Sequence, residues 1–123
     1  MSNLEDHNFG NDGARSYLAM LTAREVATIS AVAGDETRLP PEEDGESMMM
    51  PSVEVLALLC ERYNAEPPRP DIVQQWATLY LEAFDRSSIY RRARPGFKAA
   101  RRKVIENTFR WLQGLADIWW ENA

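Results

Sequence analysis

Between residues 86 and 110 the chain carries nine cations, Arg86, Arg91, Arg92, Arg94, Lys98, Arg101, Arg102, Lys103 and Arg110, with Glu106 as the single anion. Guanidinium groups at this density suit one kind of chemistry: planar forks that grip carboxylates or phosphates through paired, charge-assisted hydrogen bonds. Tyr90 and Phe97 interleave with them, and aromatic faces beside arginines suit stacking on unpaired bases or burial in a protein interface. The rest of the chain has the opposite sign. Residues 1–85 hold sixteen Asp and Glu against five Lys and Arg, and the whole chain totals −5. Three anions would answer the basic stretch: the acidic stretch of the same molecule, nucleic-acid phosphate, or an acidic patch on another protein.

No catalytic constellation stands beside it. His7 is the only histidine and Cys60 the only cysteine, which gives neither a zinc site nor a Cys-His pair. A glycine-rich phosphate cradle, a Ser-His-Asp arrangement and the Glu-x-x-His motif of di-metal bundles are all missing. The residues therefore point to a non-enzymatic protein with no cofactor and no metal. A single cysteine excludes an intramolecular disulfide. The polar start MSNLEDHNFGNDG has neither the basic nor the apolar region of a secretory signal, so a cytoplasmic protein is expected. No apolar run approaches the roughly 20 residues that cross a bilayer, so no membrane partner is expected.

The elements that must position the cations follow from apolar spacing. Residues 1–13, rich in Asn, Asp and Gly, read as a flexible arm. Residues 14–123 read as a single helical domain. Leu18, Leu21, Val26, Ile29 and Val32 mark a first helix ended by Gly34, with Thr22 and Glu25 spaced as a capping box that would restart it. The stretch Leu21-Thr22-Ala23-Arg24-Glu25-Val26-Ala27 resembles the opening helix of helix-turn-helix domains, which would imply DNA binding. Its acidic, proline-bearing sequel supplies no recognition helix, and a capped structural helix explains the residues better.

Residues 35–51, with Pro40-Pro41 and Glu42, Glu43, Asp44 and Glu46, read as a long acidic loop, either a solvating linker or a phosphate mimic. The adjoining Met48, Met49 and Met50 would form an adaptable contact site or cover the bundle. Ser52 is the expected N-cap of the next helix, with Val55, Leu56, Leu59, Cys60 and Tyr63 on its buried face.

After the stiff turn at residues 66–70, Asp71 and Gln74 have capping-box spacing. Ile72, Val73, Trp76, Leu79, Tyr80, Ala83 and Phe84 then give the cleanest amphipathic pattern in the chain. Arg94-Pro95-Gly96 breaks the chain again. The last helix is expected from about Phe97 to Glu121, with Phe97, Ala100, Val104, Thr108, Leu112, Leu115 and Trp119 facing the core. No strand pattern competes, so the fold expected is all-α, a compact bundle of four to five helices with a long C-terminal helix.

Placing Lys98, Arg101, Arg102 and Lys103 in the first turns of a helix opposes the macrodipole by about 0.3–1 kcal/mol each, which calls for an anion nearby. If that anion is the acidic loop itself, loss of residues 42–46 should lower stability. Trp111, Trp119 and Trp120 lie within ten residues. With Trp119 on the core stripe, Trp111 and Trp120 are left to anchor a partner or a second copy of the chain. The functional reading is a small adaptor, regulator or inhibitor that binds a protein through Tyr90, Arg91, Arg92, Arg94, Lys98, Arg101, Arg102, Trp111 and Trp120. The alternative is a nucleic-acid-binding accessory factor using the same segment, and a homodimer is compatible with both.

Overall fold

The computed structural model describes residues 8–123, so His7 and most of the expected arm lie outside the described residues. Four α-helices form: α1 (Asp12–Ala33), α2 (Met50–Tyr63), α3 (Pro70–Arg86) and α4 (Phe97–Glu121). No strand occurs among the described residues, and none of the helices is long and apolar enough to cross a membrane. The all-α bundle with a long last helix is thus the fold. α2 lies between α1 and α4, and α3 packs on α4 and α1.

α1 starts two residues before the expected boundary because Asn11 caps it, its side chain accepting from the Ala14 N–H at 2.8 Å. Phe9, expected in the arm, packs edge-on against Tyr63 with ring centroids 4.7 Å apart. The helix does not restart at Thr22. That side chain is buried and donates back to the Leu18 carbonyl at 2.8 Å, as a mid-helix threonine can without a break. Arg15 reaches across to the last carbonyls of α2, Tyr63 O at 2.8 Å and Asn64 O at 3.3 Å, and Asn64 ends that helix in a left-handed turn at φ 60°.

The acidic stretch departs most from expectation. Only residues 35–40 connect; Pro41–Met49 coils in wide turns, kinked at Glu43, and runs directly into α2. Proline at the first position and acids in the first turn suit a helix start. The Gly45 N–H bonds the Pro40 carbonyl at 3.2 Å and the Arg38 guanidinium pairs with Asp44 at 2.7 Å, closing the wide turn from outside. With helix already running through Met50, Ser52 is not an N-cap but a buried position inside α2. The buried face of α2 is Met50, Val53, Leu56, Ala57 and Cys60, and Val55 points outward.

α3 opens on Pro70, with Arg69 before it, so the Asp71–Gln74 box is not its cap. Its buried stripe is Val73, Trp76, Tyr80, Ala83 and Phe84. α4 has the expected bounds, started by Gly96 at φ 84°, a backbone setting that favours glycine. Its core stripe is rotated by one residue from the expected one: Ile105, Phe109, Leu112 and Ala116 are buried, while Val104 is half exposed. Two neighbouring stripes on α4 share the same spacing, and contact with α2 and α3 selects between them.

Cys60 faces the core, and burial pushes its thiol up to about 12. Since the thiolate is the reacting form, modification of the native chain by a disulfide reagent at pH 8 is expected to be at least about 100-fold slower than in denaturant. A stopped-flow absorbance trace checks this.

Candidate binding surface

The basic stretch meets the acidic one at Glu46. This carboxylate sits within the wide turns and accepts from four donors on three further elements. They are the Tyr80 hydroxyl at 2.6 Å, the Tyr90 hydroxyl at 2.7 Å, Arg101 Nε at 2.6 Å and Arg101 Nη2 at 3.1 Å. Burial pushes the Glu46 carboxyl up, but the hydrogen bonds from Arg101, Tyr80 and Tyr90 together outweigh it and hold the group below its ordinary 4.5. The same site raises both phenols, first through burial and then through the bond to the carboxylate. Tyr90 is pushed up to about 12, and Tyr80 goes higher still.

Two of the other three cations of the first α4 turns are answered as well, while Lys103 is exposed and makes no ion pair among the described residues. Arg102 forks onto Asp85, Nε to Oδ1 at 2.8 Å and Nη2 to Oδ2 at 2.9 Å, and also reaches Glu106 at 3.0 Å. Its hydrogen bond to Asp85 lowers that carboxyl below its ordinary 3.8. Lys98 donates to the Ser87 carbonyl at 2.7 Å and the Asp85 carbonyl at 3.2 Å, with its ammonium 5.5 Å from the Phe84 ring. A cation badly placed at the N-terminus of α4 is therefore well placed at the C-terminus of α3, where carbonyls lack partners. Glu42 joins the same corner by accepting from the Ser87 hydroxyl at 3.0 Å.

Besides Lys103, what remains outside is the end of α3 and the connection from it to α4. Arg86, Arg91, Arg92 and Arg94 are exposed, and among the described residues none of them makes an ion pair. Tyr90 fixes the middle of this connection, its ring packed against Phe84 at 5.7 Å and Phe97 at 5.0 Å. Turn bonds from Arg91 N to Ser88 O at 3.0 Å and Ala93 N to Tyr90 O at 3.1 Å fold the backbone on either side. Arg94 lies 5.9 Å from the Phe97 ring, and Ile89 adds an exposed apolar side chain.

The structure thus separates the residues singled out by sequence. Tyr90, Lys98, Arg101 and Arg102 tie the molecule together, whereas Arg91, Arg92 and Arg94 are exposed and hold no carboxylate among the described residues. Trp120 is also engaged internally: its indole N–H donates to the carbonyls of Pro67 at 3.1 Å and Pro68 at 3.2 Å, under the Arg69 guanidinium at 4.2 Å. Trp111 is half-buried against the core and lies far along α4 from the arginines. Trp119 is half-buried too, and lines an open groove of about 550 Å³ with Pro67, Pro68, Leu18 and Val26.

Two residues central to this corner, Glu46 and Tyr80, were not separable from their neighbours by pattern alone. One signal existed: a tyrosine in the middle of a fully buried stripe needs an acceptor for its hydroxyl. The class so defined is an all-α four-helix bundle whose acidic and basic stretches are joined at one carboxylate, leaving an arginine-bearing rim. No known family, curated protein or solved structure matches the chain.

Proposed function

We propose that this is a non-enzymatic binding protein, an adaptor, regulator or inhibitor, that docks an acidic surface of a protein partner on the connection between α3 and α4. The supporting observation is the sorting of cations within one stretch. Lys98, Arg101 and Arg102 hold internal acceptors, while Arg86, Arg91, Arg92 and Arg94 have no carboxylate opposite them among the described residues. Fixing Tyr90 on Glu46 holds the connection at its centre, which reduces the ordering that binding would otherwise require. The working residues are then Arg91, Arg92 and Arg94, with Arg86 and Ile89 beside them. Nucleic acid is the second reading, favoured by the same cluster of guanidinium forks and disfavoured by the chain's net −5.

Anisotropy titrations with a labelled polyglutamate peptide and with labelled single- and double-stranded oligonucleotides, at about 50 and 200 mM salt, distinguish them. The expected result is peptide binding that weakens at least about tenfold in the Arg91→Glu/Arg92→Glu/Arg94→Glu chain, with its melting temperature unchanged. Oligonucleotide binding that collapses between the two salts would move the function to nucleic acid. No binding of any probe at the lower salt removes the rim from consideration.

A further inference from the structure

α4 carries two apolar stripes, and the fold buries one fully and the other only in part. Beside the buried Ile105, Phe109, Leu112 and Ala116, the residues Val104, Thr108, Trp111, Leu115 and Ile118 follow one another by fours and threes on the next face outward. Val104 is 50 % exposed and Ile118 62 %, with Trp111 half-buried between them. α2 runs parallel alongside. Its Met50 and Val55 share a cleft with Arg101 and Val104, and its Cys60 shares another with Leu115 and Ile118. From α2, Val55 and Leu58 add further exposed apolar area. Exposed apolar residues scattered singly are ordinary, whereas a row continuing over two adjacent helices marks an interface. Gly114 lies on this outward side, inside the helix, and a Cβ there would meet nothing within 4 Å. Glycine weakens a helix interior relative to alanine, and no neighbour inside the chain requires it here, yet it lets another backbone come close.

We propose that this face pairs with a second copy of the chain, α4 against α4 and antiparallel, about a two-fold axis passing by Trp111. Two features specify that occupant. The exposed ends of the stripe are equidistant from Trp111, Val104 seven residues before it and Ile118 seven after. Antiparallel pairing therefore sets Val104 against the partner's Ile118, and Trp111 against the partner's Trp111. Charge also reverses along the helix: Lys98, Arg101, Arg102 and Lys103 occupy its first turns, Asp117 and Glu121 its end. The same register brings the exposed Lys103 level with the partner's Asp117 and the partner's Glu121, and opposes the two macrodipoles. Parallel pairing would stack like charges at both ends. Such a contact is isologous and closes on itself, as soluble dimers do.

Sedimentation equilibrium of the full chain from about 1 to 200 µM tests the pairing. A monomer–dimer equilibrium is expected in which V104E/I118E, at exposed positions outside the core, weakens dimerisation at least about 100-fold with circular dichroism and melting unchanged. Lys103→Glu should weaken it as well, and adding Glu121→Lys to the same chain should restore it, which a dimer through any other face would not reproduce. A chain monomeric at the highest concentration overturns the proposal. So does a dimer indifferent to V104E/I118E, or a monomer that uses this face to hold a different protein.

Discussion

Glu46→Ala is expected to destabilise the protein by about 3 kcal/mol, read as a lower urea midpoint at unchanged slope. The substitution leaves four donors, on three residues, without their acceptor. The Tyr80 ring is fully buried, and a buried hydroxyl that loses its partner costs about 1–3 kcal/mol. Arg101 loses a two-pronged pair at 2.6 and 3.1 Å. Removing one partner of a fully buried ion pair costs about 3–5 kcal/mol. This pair retains some water, with side chains 27 % exposed on Arg101 and 17 % on Glu46, so the total lies at the low end. Glu46→Gln keeps the shape and one acceptor and should cost less than half as much. In a double-mutant cycle with Arg101→Met, a coupling of at least about 1 kcal/mol is expected, because both substitutions remove the same bonds. A Glu46→Ala chain within about 0.5 kcal/mol of the parent would show that the acidic and basic stretches merely lie side by side.

The same carboxylate sets a pH dependence. Glu46 titrates below its ordinary 4.5 in the folded protein, so on acidification the unfolded chain takes up the proton first. Its contribution is complete above that value and is lost as pH falls below it through the lower folded value. Glu46→Ala should flatten this acid limb. At the alkaline side Tyr90 runs the other way. Its contribution is complete below its ordinary 10 and is lost as pH rises toward about 12.

How much of this was legible in the sequence depended on whether the deciding contact was local. The start of α4 follows from Arg94-Pro95-Gly96, where proline and a left-handed glycine lie immediately before the first helical residue. Most of the buried stripe of α3 was readable because only one face of that helix is apolar enough to bury, although Ile72, expected on it, is exposed and Leu79 only partly covered. On α4 two adjacent stripes satisfy the same spacing, and the choice of Ile105 over Val104 is made by α2 and α3. The acidic segment departs from the loop its composition suggests for a related reason. Prolines and like charges argue for a loop in isolation, whereas here Arg38 pairs with Asp44 and Arg101 with Glu46, 55 residues apart. The density of cations was plain in the sequence. Which of them would be consumed was not, since Lys98 and Arg102 find acceptors only once α3 has brought Asp85 and Ser87 beside them.

Gly45→Ala should cost at least as much as losing Glu46, about 3 kcal/mol or more, seen as a fall in melting temperature of roughly 10–15 °C. The reason is space rather than backbone freedom, because the positive-φ glycine of this chain is Gly96. A Cβ on Gly45 would run into the Leu39 carbonyl oxygen and the Tyr80 ring edge closer than real contacts permit, and would lie 3.0 Å from the Pro40 carbonyl. Two of these three obstacles are backbone, so no rotamer change relieves them. The wide turns must lift off α3, and Glu46, the next residue, lifts with them. The substitution then loses part of the same network. Combining it with Glu46→Ala should therefore cost clearly less than the two effects added, since both act through the seating of one segment on Tyr80. Strict additivity would place the strain of the extra methyl elsewhere and detach Gly45 from the Glu46 corner. A Gly45→Ala chain that melts with the parent would mean that residues 41–49 have room to move without disturbing Tyr80.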